Sequence, residues 1–132
     1  MQSDPSRRAR GATKFAEIMG HSAEQLERNF ADLAPDLATF VLETVFGDIY
    51  QDPVLDTRTR MIANVAALAA LGTAAPQLRN YLNAALRSGV SRQELVAIMV
   101  QLAAFAGLPA ALNGVAACRE VFTAADGAKA KI

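Results

Sequence analysis

Apolar side chains recur every three to four residues along most of this chain, and no stretch alternates in twos, so the pattern predicts helices and no strand. A first short helix is expected over residues 12–19, closed by Gly20. Residues 22–33 follow, with Ala23, Leu26, Phe30 and Leu33 as the buried stripe and Glu24, Glu27, Arg28 and Asp32 turned to water. Ala34-Pro35-Asp36 starts a third helix, expected to run to Tyr50 and to end at Gln51-Asp52-Pro53. Asp56 caps a fourth over residues 57–71, and Gly72 stops it. Ala75-Pro76 opens a fifth that ends at Ser88-Gly89. Ser91-Arg92-Gln93-Glu94 has the form of a capping box, which predicts a sixth helix to about Ala106. Gly107-Leu108-Pro109 makes a corner before a last helix to Phe122. The fold class expected is all-α, one helical domain over residues 11–123 between flexible tails at 1–10 and 124–132.

Composition sharpens this picture. Of 132 residues 28 are alanine, 52% are hydrophobic and 20% charged, too apolar for a disordered chain. Thirteen basic residues balance thirteen acidic ones, which removes any global attraction to nucleic acid or an anionic membrane. Arg7, Arg8 and Arg10 are too few and too far from aromatic residues to form a nucleic-acid patch. The lone Cys118 excludes an internal disulfide and a CxxC pair, and one histidine, His21, argues against a histidine metal site. Residues 95–118 carry no charge and are long enough to span a bilayer, but Gly107-Leu108-Pro109 breaks them into two core-helix lengths. With no signal-like N-terminus, a cytoplasmic protein is expected. The later helices are apolar nearly all round, more than one small domain can bury, so further copies of the chain are expected to cover them.

Several polar residues stand where apolar ones are expected. On one continuous helix, Leu37, Val41, Thr44 and Val45 bracket the direction of Asp48, which would place its carboxyl in a desolvated setting suited to proton donation. Alternatively the helix ends at Gly47 and Asp48 serves local backbone. Arg60 and Asn64, one turn apart, border the stripe Met61, Val65, Leu68. That guanidinium suits a substrate carboxylate, or it pairs with Asp56. Tyr81 falls with Leu78, Leu82 and Ala85, as a core residue with a satisfied hydroxyl or as a catalytic phenol. Gln101 and Asn113 interrupt apolar runs and, if buried, require backbone or ligand partners. His21 is expected in an exposed loop and Cys118 as an inert buried thiol.

Taken in order, Phe46-Gly47-Asp48-Ile49-Tyr50, Leu55-Asp56-Thr57-Arg58-Thr59-Arg60, Ala66-Ala67-Leu68-Ala69-Ala70-Leu71-Gly72, Ala84-Ala85-Leu86-Arg87-Ser88-Gly89-Val90-Ser91 and Gln101 to Ala111 resemble the gamma-carboxymuconolactone decarboxylase family. The resemblance extends from about Gly11 to Phe122. It implies the all-helical fold of the AhpD-like superfamily, assembled as trimers or hexamers. It also implies cofactor-free decarboxylation of a small anionic lactone in aromatic catabolism. A related branch reduces hydroperoxides through a CxxC pair that this chain lacks. Two positions depart from the family pattern. Tyr81 stands in Leu78-Arg79-Asn80-Tyr81-Leu82 where the decarboxylases carry His, and Ala97 stands where they carry Glu. Losing an imidazole removes a side chain whose proton transfer is commonly worth about 10²–10⁴-fold. The expectation is therefore a cofactor-independent lyase for a small anionic cyclic metabolite, with Arg60 binding or stabilising the anion. Asp48 or Tyr81 is the expected proton donor, and Asn64, Gln101 and Asn113 the pocket lining. A non-catalytic binder on the same scaffold, or a biosynthetic lyase or isomerase, is the alternative.

Overall fold

A computed structural model describes residues 4–130, and they are helical without a strand. The chain divides into two compact units, Met1–Thr57 and Arg58–Ile132.

In the first unit, helix α1 spans Pro5–Met19. The Asp4 carboxylate caps it, accepting the backbone N–H groups of Ser6 and Arg7, and Pro5 takes the first turn, where a missing N–H costs nothing. Residues 5–10, expected as part of a flexible tail, are thus its opening turns; residues 1–3 lie outside the described part. Polarity misled here because these side chains are polar for a reason. Arg7 bonds Asp48, and Arg8 bonds Glu27 through two nitrogens at 3.0 and 2.5 Å. Gly20 closes α1 at φ 77°.

Helix α2, Ala23–Phe30, starts on the Ser22 hydroxyl and is shorter than its stripe suggests; Leu33 lies beyond its end and is 90% exposed. Helix α3, Pro35–Thr39, passes directly into a π-helical segment, Phe40–Phe46. Gly47 and Asp48 then turn the chain into a short 3₁₀ turn, Ile49–Gln51. One regular helix to Tyr50 was expected, so the observed break re-aims every side chain after Thr39. The widened segment meets α1 backbone to backbone. A Cβ on Gly11 would lie 1.7 Å from the Leu42 carbonyl oxygen, and one on Gly47 would lie 2.6 Å from that of Arg7. Phe15 and Phe46 pack edge to face at 5.0 Å, with Tyr50 4.8 Å from Phe46 and the exposed His21 5.0 Å from Phe15.

The second unit follows the sequence pattern closely. Helix α4 is Thr57–Leu71, burying Met61, Val65 and Ala69 at four-residue spacing, and Gly72 ends it at φ 74°. Helix α5, Ala75–Arg87, buries Leu78, Leu82, Ala84 and Ala85. Helix α6, Arg92–Phe105, carries the expected capping box: Ser91 Oγ accepts the Glu94 N–H at 3.0 Å, and Glu94 accepts the Ser91 N–H at 2.9 Å. Helix α7, Leu108–Ala130, packs mainly on α6 and also on α5. It continues past Phe122 through most of the segment expected to be a flexible tail. The Arg92 guanidinium reaches across to Asp126 with bonds of 2.7 and 3.2 Å and lies 5.0 Å above the Phe122 ring, so the extra turns are tied to α6. Residues 131–132 lie outside the described part. Among the described residues no helix is long and apolar enough to cross a membrane.

Candidate functional site

Five of the six candidate residues belong to the second unit, and Asp48 belongs to the first. Arg60 and Asn64 occupy successive turns of α4, both half-buried, on the row beside Met61 and Val65. That placement follows from helical spacing, since a residue one position before each buried one borders the buried stripe. Tyr81 is half-buried on α5 next to fully buried Leu82. Arg60, Asn64 and Tyr81 each engage a neighbour, so none is a loose surface group.

Gln101 and Asn113 are exposed, so neither carries the burial penalty considered for it. Asn113 borders a narrow cleft of about 40 Å³ with Leu68, Ala69, Gly72, Ala74, Ala75 and Leu78, which brings it to the end of α4 and the start of α5. This space matches one or two water molecules and is too small for a lactone ring. Ala97 and Gln101 both lie on the exposed side of α6.

Asp48 is corrected most clearly. Because the helix breaks at Gly47, its side chain is 45% exposed and not on a buried stripe. It accepts two hydrogen bonds from Arg7, at 2.6 and 3.0 Å, and Arg10 lies 3.7 Å away. The desolvation on which a proton-donor role rested is absent. The alternative, a helix ending at Gly47, holds, although the partners are arginine side chains and not local backbone.

The carboxylate that is buried is Glu43, which the sequence reading passed over. It is 3% exposed, accepts the Asp4 backbone N–H at 2.8 Å, and has the Arg7 guanidinium 3.9 Å away. A signal was present: it is the single charge in the run Phe40-Val41-Leu42-Glu43-Thr44-Val45-Phe46. π-Helical turns are rare and frequently mark functional places, so a buried acid inside one is notable. Here its visible task is to hold the start of α1. Cys118 is buried as expected, and burial pushes its thiol up from the ordinary value.

Comparison with known proteins adds what the single chain leaves open. Residues 35–120 match the profile of the carboxymuconolactone decarboxylase family. The chain belongs to this family. A 4-carboxymuconolactone decarboxylase of Acinetobacter baylyi is 31% identical over 121 residues, 90% of this chain and 89% of that protein. An uncharacterized 15.0 kDa protein of Paracoccus denitrificans is 30% identical over 100 residues, 75% of each chain. The family match runs from α3 through the site residues of α4 and α5 to α7, so it includes parts of both compact units. At the level of the family, a decarboxylase-like scaffold is thereby supported, and with it the all-helical architecture.

Proposed function

We propose that this protein is a cofactor-independent, decarboxylase-like lyase acting on a small anionic cyclic metabolite. The observation that carries this reading is the 31% identity, over nearly the full length of both chains, to a 4-carboxymuconolactone decarboxylase. In the proposed step, the bond between a ring carbon and its carboxylate breaks. Carbon dioxide leaves, and the electron pair stays on the ring carbon as an enolate-like anion. The Tyr81 hydroxyl gives that carbon a proton, and water returns one to the phenolate. The Arg60 guanidinium binds the anion and stabilises the charge as it spreads, with Asn64 one turn away as a neutral hydrogen-bonding partner. Gln101 and Asn113 are assigned to substrate contact from surfaces that further copies of the chain cover in a trimer or hexamer. The ion-paired Asp48 has no part in this assignment.

Tyr81 and Ala97, in place of the His and Glu implied by the family resemblance, favour a changed substrate or a slower proton transfer. A phenol hydroxyl donates a proton but is a poorer general base than an imidazole. The test measures carbon dioxide release from 4-carboxymuconolactone and related lactones and keto acids by the purified protein and three variants. Arg60→Ala should lower kcat/KM by roughly 10²-fold or more, and Tyr81→Phe should lower kcat by a comparable factor. Tyr81→His combined with Ala97→Glu should raise turnover of the family's lactone. Ligand-induced thermal stabilisation with no carbon dioxide release from any compound would replace this reading with a binding protein on the same scaffold.

A further inference from the structure

Away from all six candidate residues, α7 and Val96 of α6 line an open cleft of about 320 Å³, bordered by Val96, Val115, Cys118, Arg119, Phe122, Thr123 and Asp126. Positions 115, 118, 119, 122, 123 and 126 fall on one face of α7, and Val96 supplies the α6 wall. The floor is apolar: Cys118 is fully buried, and Val96, Val115 and Phe122 are half-buried. The rim is polar. Its one carboxylate, Asp126, is already held by both terminal nitrogens of Arg92, which neutralises it. Arg119 and Thr123 are exposed, and among the described residues neither forms a hydrogen bond or ion pair. The neighbouring Glu120 pairs instead with Arg79, at 3.6 Å.

An apolar floor with one unmatched guanidinium and one unmatched hydroxyl is a specific chemical arrangement. The floor excludes heavily hydrated ligands, while the single cation favours one negative charge over several. A guanidinium fork matches a carboxylate in two parallel hydrogen bonds. The volume stands at the small end of ligand pockets, enough for one ring. We propose that this cleft is a second small-molecule site, which binds a single-ring monocarboxylate with its ring on Val96, Val115 and Phe122 and its carboxylate on Arg119 and Thr123. The lowered pKa of Asp126, caused first by its hydrogen bonds from Arg92, keeps the neighbouring pair charged and closed on itself. The site stands whether or not the lyase reading does, because no residue is shared between them.

Benzoate serves as the probe, titrated into the full chain while backbone amide and methyl shifts are followed by NMR. Saturable shifts are expected at Val96, Val115, Cys118, Phe122 and Thr123, with the neutral isostere benzamide bound about tenfold more weakly or worse, as the loss of a charge-assisted hydrogen bond implies. Arg119→Ala should weaken benzoate by a similar factor, leave benzamide unchanged and leave the melting temperature unmoved. Val96→Phe, which fills the cleft, should abolish both. Equal binding of benzoate and benzamide, no saturable shift at millimolar benzoate, or shifts centred on Arg60, Asn64 and Tyr81 would each overturn the assignment. A change in assembly mass caused by Val96→Phe would also overturn it, by making the cleft a contact between copies.

Discussion

At Glu43 a carboxylate is enclosed in a π-helical turn, with a backbone N–H at 2.8 Å and the Arg7 guanidinium at 3.9 Å. Five residues on, Asp48 meets the same arginine at the surface. These two acids carry very different energies. Replacing Glu43 with leucine leaves the Asp4 N–H without its acceptor and removes a charge facing Arg7, for an expected loss of about 2–3 kcal/mol in chemical denaturation. Glu43→Gln keeps an acceptor and should lose roughly half of that. Asp48→Asn, at an exposed pair, should change stability by less than about 1 kcal/mol. A Glu43→Leu protein as stable as the parent would show that α1 is held by its other contacts alone. The sequence marks both residues as acids among apolar neighbours, yet burial is a property of the surrounding atoms, and helical spacing assigned it to the wrong one.

Glycine and caps decide how elements meet and end. The crossing of α1 on the π-helical segment leaves no room for a methyl group at Gly11, where the nearest atoms are backbone and cannot rotate away. Gly11→Ala should therefore destabilise by about 2 kcal/mol or more, the usual scale of overpacking. Gly114 offers a contrast. A Cβ there meets the Met99 Sδ at 2.3 Å, but a thioether can change rotamer, so Gly114→Ala should cost clearly less in the same denaturation assay. The start of α6 adds a pH-dependent part. Hydrogen bonds from Arg58, then from the Ser91 backbone, hold the Glu94 carboxyl down from 4.5 to about 2. A depressed acid contributes stability above its unfolded pKa and loses it as pH falls through the folded one. Stability of the parent should therefore fall between pH 4.5 and about 2 in chemical denaturation, and Glu94→Gln should flatten that dependence.

Across the whole molecule the same sign recurs. Asp4, Glu27 and Asp126 are also held below their ordinary values, Asp4 first by the Arg7 backbone N–H, Glu27 by Arg8 and Asp126 by Arg92. Stability should thus fall on acidification below the ordinary carboxylate range, visible as a falling melting temperature. The outer surface of α6 and α7 raises the question of assembly. Residues 95–118 carry no charge, yet Phe105 is 85% exposed and Val100, Leu108 and Leu112 are each 60% or more. Large apolar side chains this exposed on neighbouring stretches of α6 and α7 are the kind of surface that a partner chain covers. Light scattering should find a multimer at micromolar concentration, and Phe105→Lys should shift it toward monomer while preserving helical content.

By itself the sequence determined the helical class, the starts and stops of α4, α5 and α6, the capping box and the family. The family rests on the resemblance of its ordered motifs, and the rest on local chemistry: apolar spacing, glycine stops at positive φ, side chains reaching backbone three residues away. Beyond the local cap of Asp4 and Pro5, tertiary contacts hold residues 5–10 and 124–130 as extensions of their helices. The stabilising partners of those segments, Asp48 and Glu27 for one and Arg92 for the other, lie far away along the chain. Tertiary structure alone decided the break at Gly47, and with it which acid is buried, because a close backbone crossing replaces ideal helical geometry there. The same holds for the cleft of Arg119 and Thr123: a residue's partners, or its lack of them, exist only once distant segments have met.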